Sequence, residues 1–280
     1  MKTRAFLRAM AYVLPYVATA VVALVVTVIV TAPAAWAGSL QVAPVRIVLT
    51  PGHAVAAMTI GNADDTEVAV QAEVFAWSQV DGKDVYEPTR DVLVNPTIFR
   101  LAAQAQQIVR VGLRVPAGER ERSYRIFLQQ LPRDKAVPAD GAAGGQVQTL
   151  LRIGVPIFVP PKVVRREVQW RVERGDATPV PSSTLTSTRN SQLPSPYRLN
   201  FRNGGDEHIQ LIQVVLRHGN GDEFARKSLS HYVLAGQAAP LPMDLPSLPA
   251  GSPFSVEVQS DAAQPLPPAQ LRMPDEAPSR

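Results

Sequence analysis

Cysteine is absent from the 280 residues. That excludes disulfides, thiolate metal sites, iron–sulfur clusters and a cysteine nucleophile. Catalytic signatures are missing as well: there is no GxSxG, no SxxK and no glycine-rich phosphate loop. The four histidines, His53, His208, His218 and His231, form no HxH or HxxxH pair and lie beside no paired carboxylates at metal-ligand spacing. They read as exposed strand-end or loop residues. Asp64-Asp65 and Gly221-Asp222-Glu223 sit in turn-like contexts, where a solvated loop explains them better than acid/base chemistry. Taken together, these absences predict no enzyme, no cofactor, no metal and no small-molecule substrate.

Acidic residues are missing before Asp64, while Lys2, Arg4 and Arg8 open the chain. An apolar run follows from about Ala11 to Ala32, and then Ala35-Trp36-Ala37. This is the layout of a secretory signal peptide over residues 1–37, cleaved after Ala37. The run is also long enough to span a bilayer, which leaves an uncleaved anchor as the alternative. Without those three basic residues, 28 Lys+Arg fall to 25 against 24 Asp+Glu. An exported chain of net charge about +1 lacks the basic excess that neutralises phosphates, so nucleic acid is not an expected partner.

Proline is plentiful instead: 26 residues, about 9%, against a background of roughly 5%. Its spread leaves little room for long helices. The 46% of apolar residues can still build a core. Period-two alternation is clearest in Val168, Trp170, Val172; in Tyr197, Leu199, Phe201; and in Phe254, Val256, Val258. Each set would face a core while its neighbours face water. Asn203-Gly204-Gly205-Asp206 and Gly219-Asn220-Gly221-Asp222 are turn signals. Residues 100–111 favour helix by composition, but the β-branched run at 108–111 before Pro116 predicts a loop entering a strand. The expected class is all-β, as two immunoglobulin-like sandwiches. They are expected at residues 38–160 and 166–263, with a hinge at 161–165 marked by Pro160-Pro161 and the basic run behind it. Low-complexity stretches at 136–145 and 177–196 interrupt them, and a proline-rich tail occupies 264–280.

Residues 146–159 place Val147, Leu151, Ile153, Val155, Ile157 and Val159 on one face of an extended chain. Core packing is one reading of that face. Pro156 indicates that part of the strand is an edge, because proline cannot donate to a ladder. A long apolar edge is an aggregation hazard unless pairing with another chain is its purpose.

The first half of the chain resembles the periplasmic chaperones of the chaperone–usher pilus pathway. Val42-Ala43-Pro44-Val45-Arg46-Ile47-Val48-Leu49 is similar to that family's first strand. Asn95-Pro96-Thr97-Ile98-Phe99-Arg100-Leu101 and Gln107-Ile108-Val109-Arg110-Val111 resemble its Pro-x-x-Phe-x-Leu and Gln-x-Val-Arg-Val patterns. Glu121–Leu128, ending at Leu131-Pro132, resembles the strand that follows. Val155-Pro156-Ile157-Phe158-Val159 resembles the last strand as the archaic branch writes it. The resemblance covers about residues 40–160; beyond it only 197–205 is similar. It implies two sandwiches in an L shape and a chaperone that lends an edge strand to pilus (fimbrial) subunits lacking one. The partners it implies are those subunits and an outer-membrane usher. It also implies that Arg46 anchors the subunit's terminal carboxylate and that Val147, Leu151, Ile153 and Val155 form the donor-strand face. The better-known branch adds a lysine in the last strand, where this chain has Val155 or Pro156; Arg152 or Arg125 would have to supply that charge. The alternatives are an exported tandem binding module and an anchored envelope structural protein.

Overall fold

The computed structural model describes residues 40–132, 149–174, 197–243, 254–262, 266 and 269–270. The expected signal segment, Val147, both low-complexity stretches and most of the tail lie outside them. Among the described residues every regular element is a strand.

Ten strands build the first sandwich: β1 (Leu40–Ala43), β2 (Ile47–Val48), β3 (Val55–Asn62), β4 (Val68–Val80), β5 (Lys83–Pro88), β6 (Val92–Asn95), β7 (Ile98–Leu101), β8 (Gln106–Leu113), β9 (Arg122–Gln130) and β10 (Arg152–Val159). One sheet runs β1-β3-β8-β6; the other runs β2-β10-β9-β4-β5, with β7 also on β4. The stretch with helical composition is β7, a short turn and β8: strand pairing with β3 and β4 overrides local propensity there. The stretch expected as one strand at 42–49 divides. Its first part pairs with β3, Pro44-Val45-Arg46 crosses between the sheets, and β2 then runs parallel to β10. Arg46 therefore stands at a crossing, not in mid-strand.

The second sandwich contains β11 (Val168–Arg174), β12 (Tyr197–Asn203), β13 (Ile209–His218), β14 (Glu223–Val233), β15 (Ala238–Met243), β16 (Phe254–Ser260) and β17 (Ala269–Gln270). Its sheets run β11-β12-β15 and β14-β13-β16-β17. The hairpin between β13 and β14 turns through Gly221 at a φ of 91°, a value that glycine alone adopts without steric cost.

Alternation explains both cores. Met58, Ile60, Val70, Ala72, Val109, Val111, Ile126, Leu128 and Ile157 fill the first; Leu199, Phe201, Leu211, Val214, Leu216, Val256 and Val258 fill the second. The two sandwiches also share one polar device. At the end of β3 the Asn62 amide donates to the carbonyls of Thr66, Leu101 and Ala102, and its oxygen accepts the Asp64 N–H. At the end of β12 Asn203 does the same with Glu207, Val233, Leu234 and the Gly205 N–H. A buried asparagine thus satisfies the carbonyls of a corner where no strand can reach them.

A third cluster, Trp77, Phe158 and Leu234 with Tyr86 and Tyr232 against it, joins strands of the first sandwich to β14 and its end in the second. Gln79 fastens it. Its Nε2 donates to the Tyr232 carbonyl at 2.8 Å, and its Oε1 accepts the Leu234 N–H at 3.0 Å.

Candidate functional site

Among the described residues, strand β10 is central at one end and open at the other. Its whole length pairs with β9, but β2 covers only Ile157 and Phe158. The direction of the open groups follows from two bonds. The Leu151 carbonyl accepts from Gln130 on the β9 side, and the Phe158 carbonyl accepts from Leu49 on the other. Alternation then turns the N–H and C=O of Arg152 and Gly154 toward the uncovered edge, and the C=O of Pro156 toward β2. Pro156 thus sits where its missing N–H would have pointed outward, so no bond of the β9 ladder is lost.

Side chains along β10 grade from exposed to buried. Leu151 and Ile153 are half-buried, Ile153 packing against the first core. Val155, expected on the donor face, is only 2% exposed and belongs to that core. That burial has a simple cause: β2 and β9 flank β10 from about Val155 onward, and the opposing sheet closes over its inner face. The available part of the expected face is Leu151 and Ile153, with Val147 outside the described residues.

The three arginines do not converge on one point. They are spaced along a ladder of alternating rings and cations on the outer face of this sheet. Arg152 lies 4.1 Å from the Phe127 ring centre; Phe127 meets Tyr86 edge-on at 5.0 Å; Arg125 lies 5.7 Å from Tyr86 and 4.0 Å from Trp77. Trp77 then meets Tyr232 edge-on at 5.6 Å, and Arg46 stands 5.6 Å from Tyr232. A desolvated cation over a ring gains about 2 kcal/mol, less when exposed. Gly154 lets the ladder pack closely, since a Cβ on it would come within 3.0 Å of Phe127 and 3.2 Å of Arg125 and push them aside.

Arg125 is committed within the ladder. It donates to the Tyr86 hydroxyl at 2.6 Å and lies 3.5 Å from Asp84. Burial works to raise the Asp84 pKa, but hydrogen bonds from Gln79 and Tyr86 and the Arg125 charge hold it below the usual carboxylate range. Arg152 is exposed, with Phe127 beneath it. Arg46 is engaged by the second sandwich: Nη1 donates to Asp261 Oδ2 at 2.8 Å, and Nη2 donates to Gln210 Oε1 and to the Tyr232 hydroxyl. Burial alone would lower the Arg46 pKa; Tyr232 and Asp261 outweigh it and leave the pKa raised.

Beside Arg46 lies a cavity of about 460 Å³, lined among others by Val48, Phe158, His208, Asp261 and Leu266. His208, expected as an exposed loop residue, stacks on Phe158 at 3.5 Å between ring centres, and its Nδ1 meets both oxygens of the buried Glu121 carboxylate at 2.8 and 2.9 Å. His231 is half-buried too, and burial lowers its pKa against the opposing Asp84 charge. Among the described residues no group of histidines and carboxylates could hold a metal ion. Trp77, Tyr86, Phe127, Tyr232 and Asp261 were not singled out by sequence reasoning. Phe127, two residues after Arg125, carried the only local signal, a shared strand face.

Known proteins resemble this chain in sequence and in fold. Residues 39–165 match the profile of the pili and flagellar-assembly chaperones, PapD N-terminal domain. A Klebsiella pneumoniae protein described as "Probable fimbrial chaperone EcpB" is 28% identical over 162 residues, which span 56% of this chain and 68% of that protein. Among solved structures, the chaperone–tip adhesion subunit pre-assembly complex CsuC–CsuE, from archaic chaperone–usher Csu pili of Acinetobacter baumannii, contains a similar chain. The TM-score is 0.54 at 17% identity, over 84% of this chain and 99% of that one. The E. coli chaperone DraB gives 0.51 at 22% identity, over 84% and 97%. The two-sandwich fold is common to them, and the first sandwich is the part of this chain that matches the N-terminal domain of the pilus-assembly chaperones.

Proposed function

We propose that this protein is a periplasmic chaperone that captures strand-deficient pilus subunits by lending them the open edge of β10 and hands them to an outer-membrane usher. The observation that carries the reading is the edge of β10 at 152–155, unpaired among the described residues and flanked on its inner side by Leu151 and Ile153. A subunit missing its last strand exposes a hydrophobic groove and unpaired backbone groups. The β10 edge supplies main-chain pairing, and Leu151, Ile153 and Val147 supply apolar side chains for the groove. Arg46 is the proposed anchor for the subunit's terminal carboxylate, because its planar fork matches a carboxylate in a way lysine cannot. Arg152, beside the open edge, is the proposed second cation, and Arg125 supports it from within the ladder. Residues 1–37 direct export, and 161–165 serve as the hinge between sandwiches at 38–160 and 166–263. The archaic branch fits the writing of β10. Binding and release suffice for this role; no turnover is involved.

The test is co-purification from the periplasm of cells that make the protein with a strand-deficient pilus subunit. A stable one-to-one complex with the subunit, lost when Leu151→Asp is introduced, is the expected result. A subunit that remains soluble and protease-resistant without the protein, and never accompanies it, would overturn the reading.

A further inference from the structure

Arg46 is already holding a carboxylate. The Asp261 side chain is fixed from both ends by β13: its Oδ1 accepts the Gln210 N–H at 2.8 Å, and its own N–H donates to the Gln210 carbonyl at 3.0 Å. That leaves Oδ2 aimed at Arg46 Nη1, 2.8 Å away. The other arm of the fork, Nη2, is taken by Gln210 Oε1 and the Tyr232 hydroxyl. All three partners come from the second sandwich, and together they occupy both terminal nitrogens of the guanidinium. The pair is accessible all the same: the side chains are 33% and 21% exposed and face the cavity of about 460 Å³.

We propose that Asp261 caps Arg46 in the free protein and that an incoming terminal carboxylate binds by exchange with it. The inference rests on the reading of Arg46 as the carboxylate anchor. A second carboxylate could not simply be added. It would find both arms of the fork engaged and the Asp261 charge within a few ångströms, where like charges repel. Exchange avoids that repulsion, and the cavity gives the displaced Asp261 side chain room in solvent. The cap also leaves the arginine hydrogen-bonded whenever no subunit is present, so that the empty protein does not carry an unpaired, half-desolvated cation. Because the cap belongs to the second sandwich and Arg46 to the first, recognition of the chain end breaks a contact between the two.

Asp261→Asn separates charge from structure, since the amide oxygen can still accept the Gln210 N–H while the anionic competitor is gone. The probe is a soluble N-acetylated strand peptide of alternating valine and threonine, made as free acid and as C-terminal amide. Its affinity is measured by calorimetry on the full chain, on Asp261→Asn and on Asp261→Asn with Arg46→Ala. Removing a partly exposed competing ion pair should tighten the free acid by about three- to tenfold. The amide should be unaffected, and the gain should vanish in the double variant. A preference for the acid that is equal in the native chain and Asp261→Asn would overturn the cap and leave the anchor standing. Equal weakening of both peptides by Asp261→Asn would make Asp261 a mere strut between the sandwiches, and would also overturn it. Acid and amide bound alike by every protein, or not bound at all, would overturn the anchor and the cap together.

Discussion

Gln79→Ala should loosen the second sandwich from the first. Gln79 is 4% exposed and lies on the outward face of β4, where a lone strand would show it to water. In the folded chain it gives one hydrogen bond to the Tyr232 carbonyl and accepts another from the Leu234 N–H, and it also donates to Asp84 Oδ1 at 3.0 Å. Alanine would strand two backbone groups beside a cluster in which Trp77, Phe158 and Leu234 are 4%, 0% and 5% exposed. Each buried polar group left unpaired costs about 1–3 kcal/mol, so the pair should cost about 2–6 kcal/mol. The bond to Asp84 adds little, because that carboxylate is a third exposed. Urea unfolding followed by tryptophan emission is a suitable assay, since Trp77 sits in the shared cluster and Trp170 on β11 of the second sandwich. Early solvation of Trp77, ahead of the main transition, is the expected signature. A loss below about 1 kcal/mol with Trp77 emission unchanged would show that water replaces the glutamine and that the contact is not dry.

Further outcomes follow from the same geometry. Leu151→Asp should abolish subunit capture while circular dichroism and urea stability stay near native. Ile153→Asp should lower both, because Ile153 packs against the first core and a buried charge is costly. Arg46→Ala should weaken subunit binding by tenfold or more, with Arg46→Lys recovering only part of it, as measured by calorimetry. Gly154→Val should destabilise the first sandwich in thermal melts, because its side chain would press on Phe127 and Arg125. For His231 the folded pKa lies below the ordinary 6.5, so the unfolded chain binds the proton more readily. Its contribution is then fully present above about pH 6.5 and is lost as pH falls below it; His231→Leu should flatten the stability profile between pH 7 and 5.

Much of the fold was legible because one strand face was apolar. β11, β12 and β16 stand where alternation put them, and Pro156 sits on β10 where its missing N–H faces away from the β9 ladder. What period two cannot say is what covers the other face. Trp77, Gln79 and Phe158 all point outward from their own sandwich, and only the second sandwich buries them. The candidate site was hidden for the same reason. The partners of Arg46 lie 164, 186 and 215 residues away in sequence, and no local pattern links them. The arginine itself was visible; its surroundings and its place at a crossing between sheets were not.

The open stretch of β10 is not a symmetrical edge. Arg152 and Gly154 each offer an N–H and a C=O, but position 156 has no N–H to offer and its carbonyl lies on the side that β2 covers. Two copies of this protein laid edge to edge would therefore pair badly: in any antiparallel register that sets position 156 against an outward carbonyl, that carbonyl goes without a donor. A foreign strand meets that missing donor once, whereas two copies bring it twice. The proline that leaves the edge available to a client thus discourages the chaperone from polymerising with itself, a bias built from one missing hydrogen.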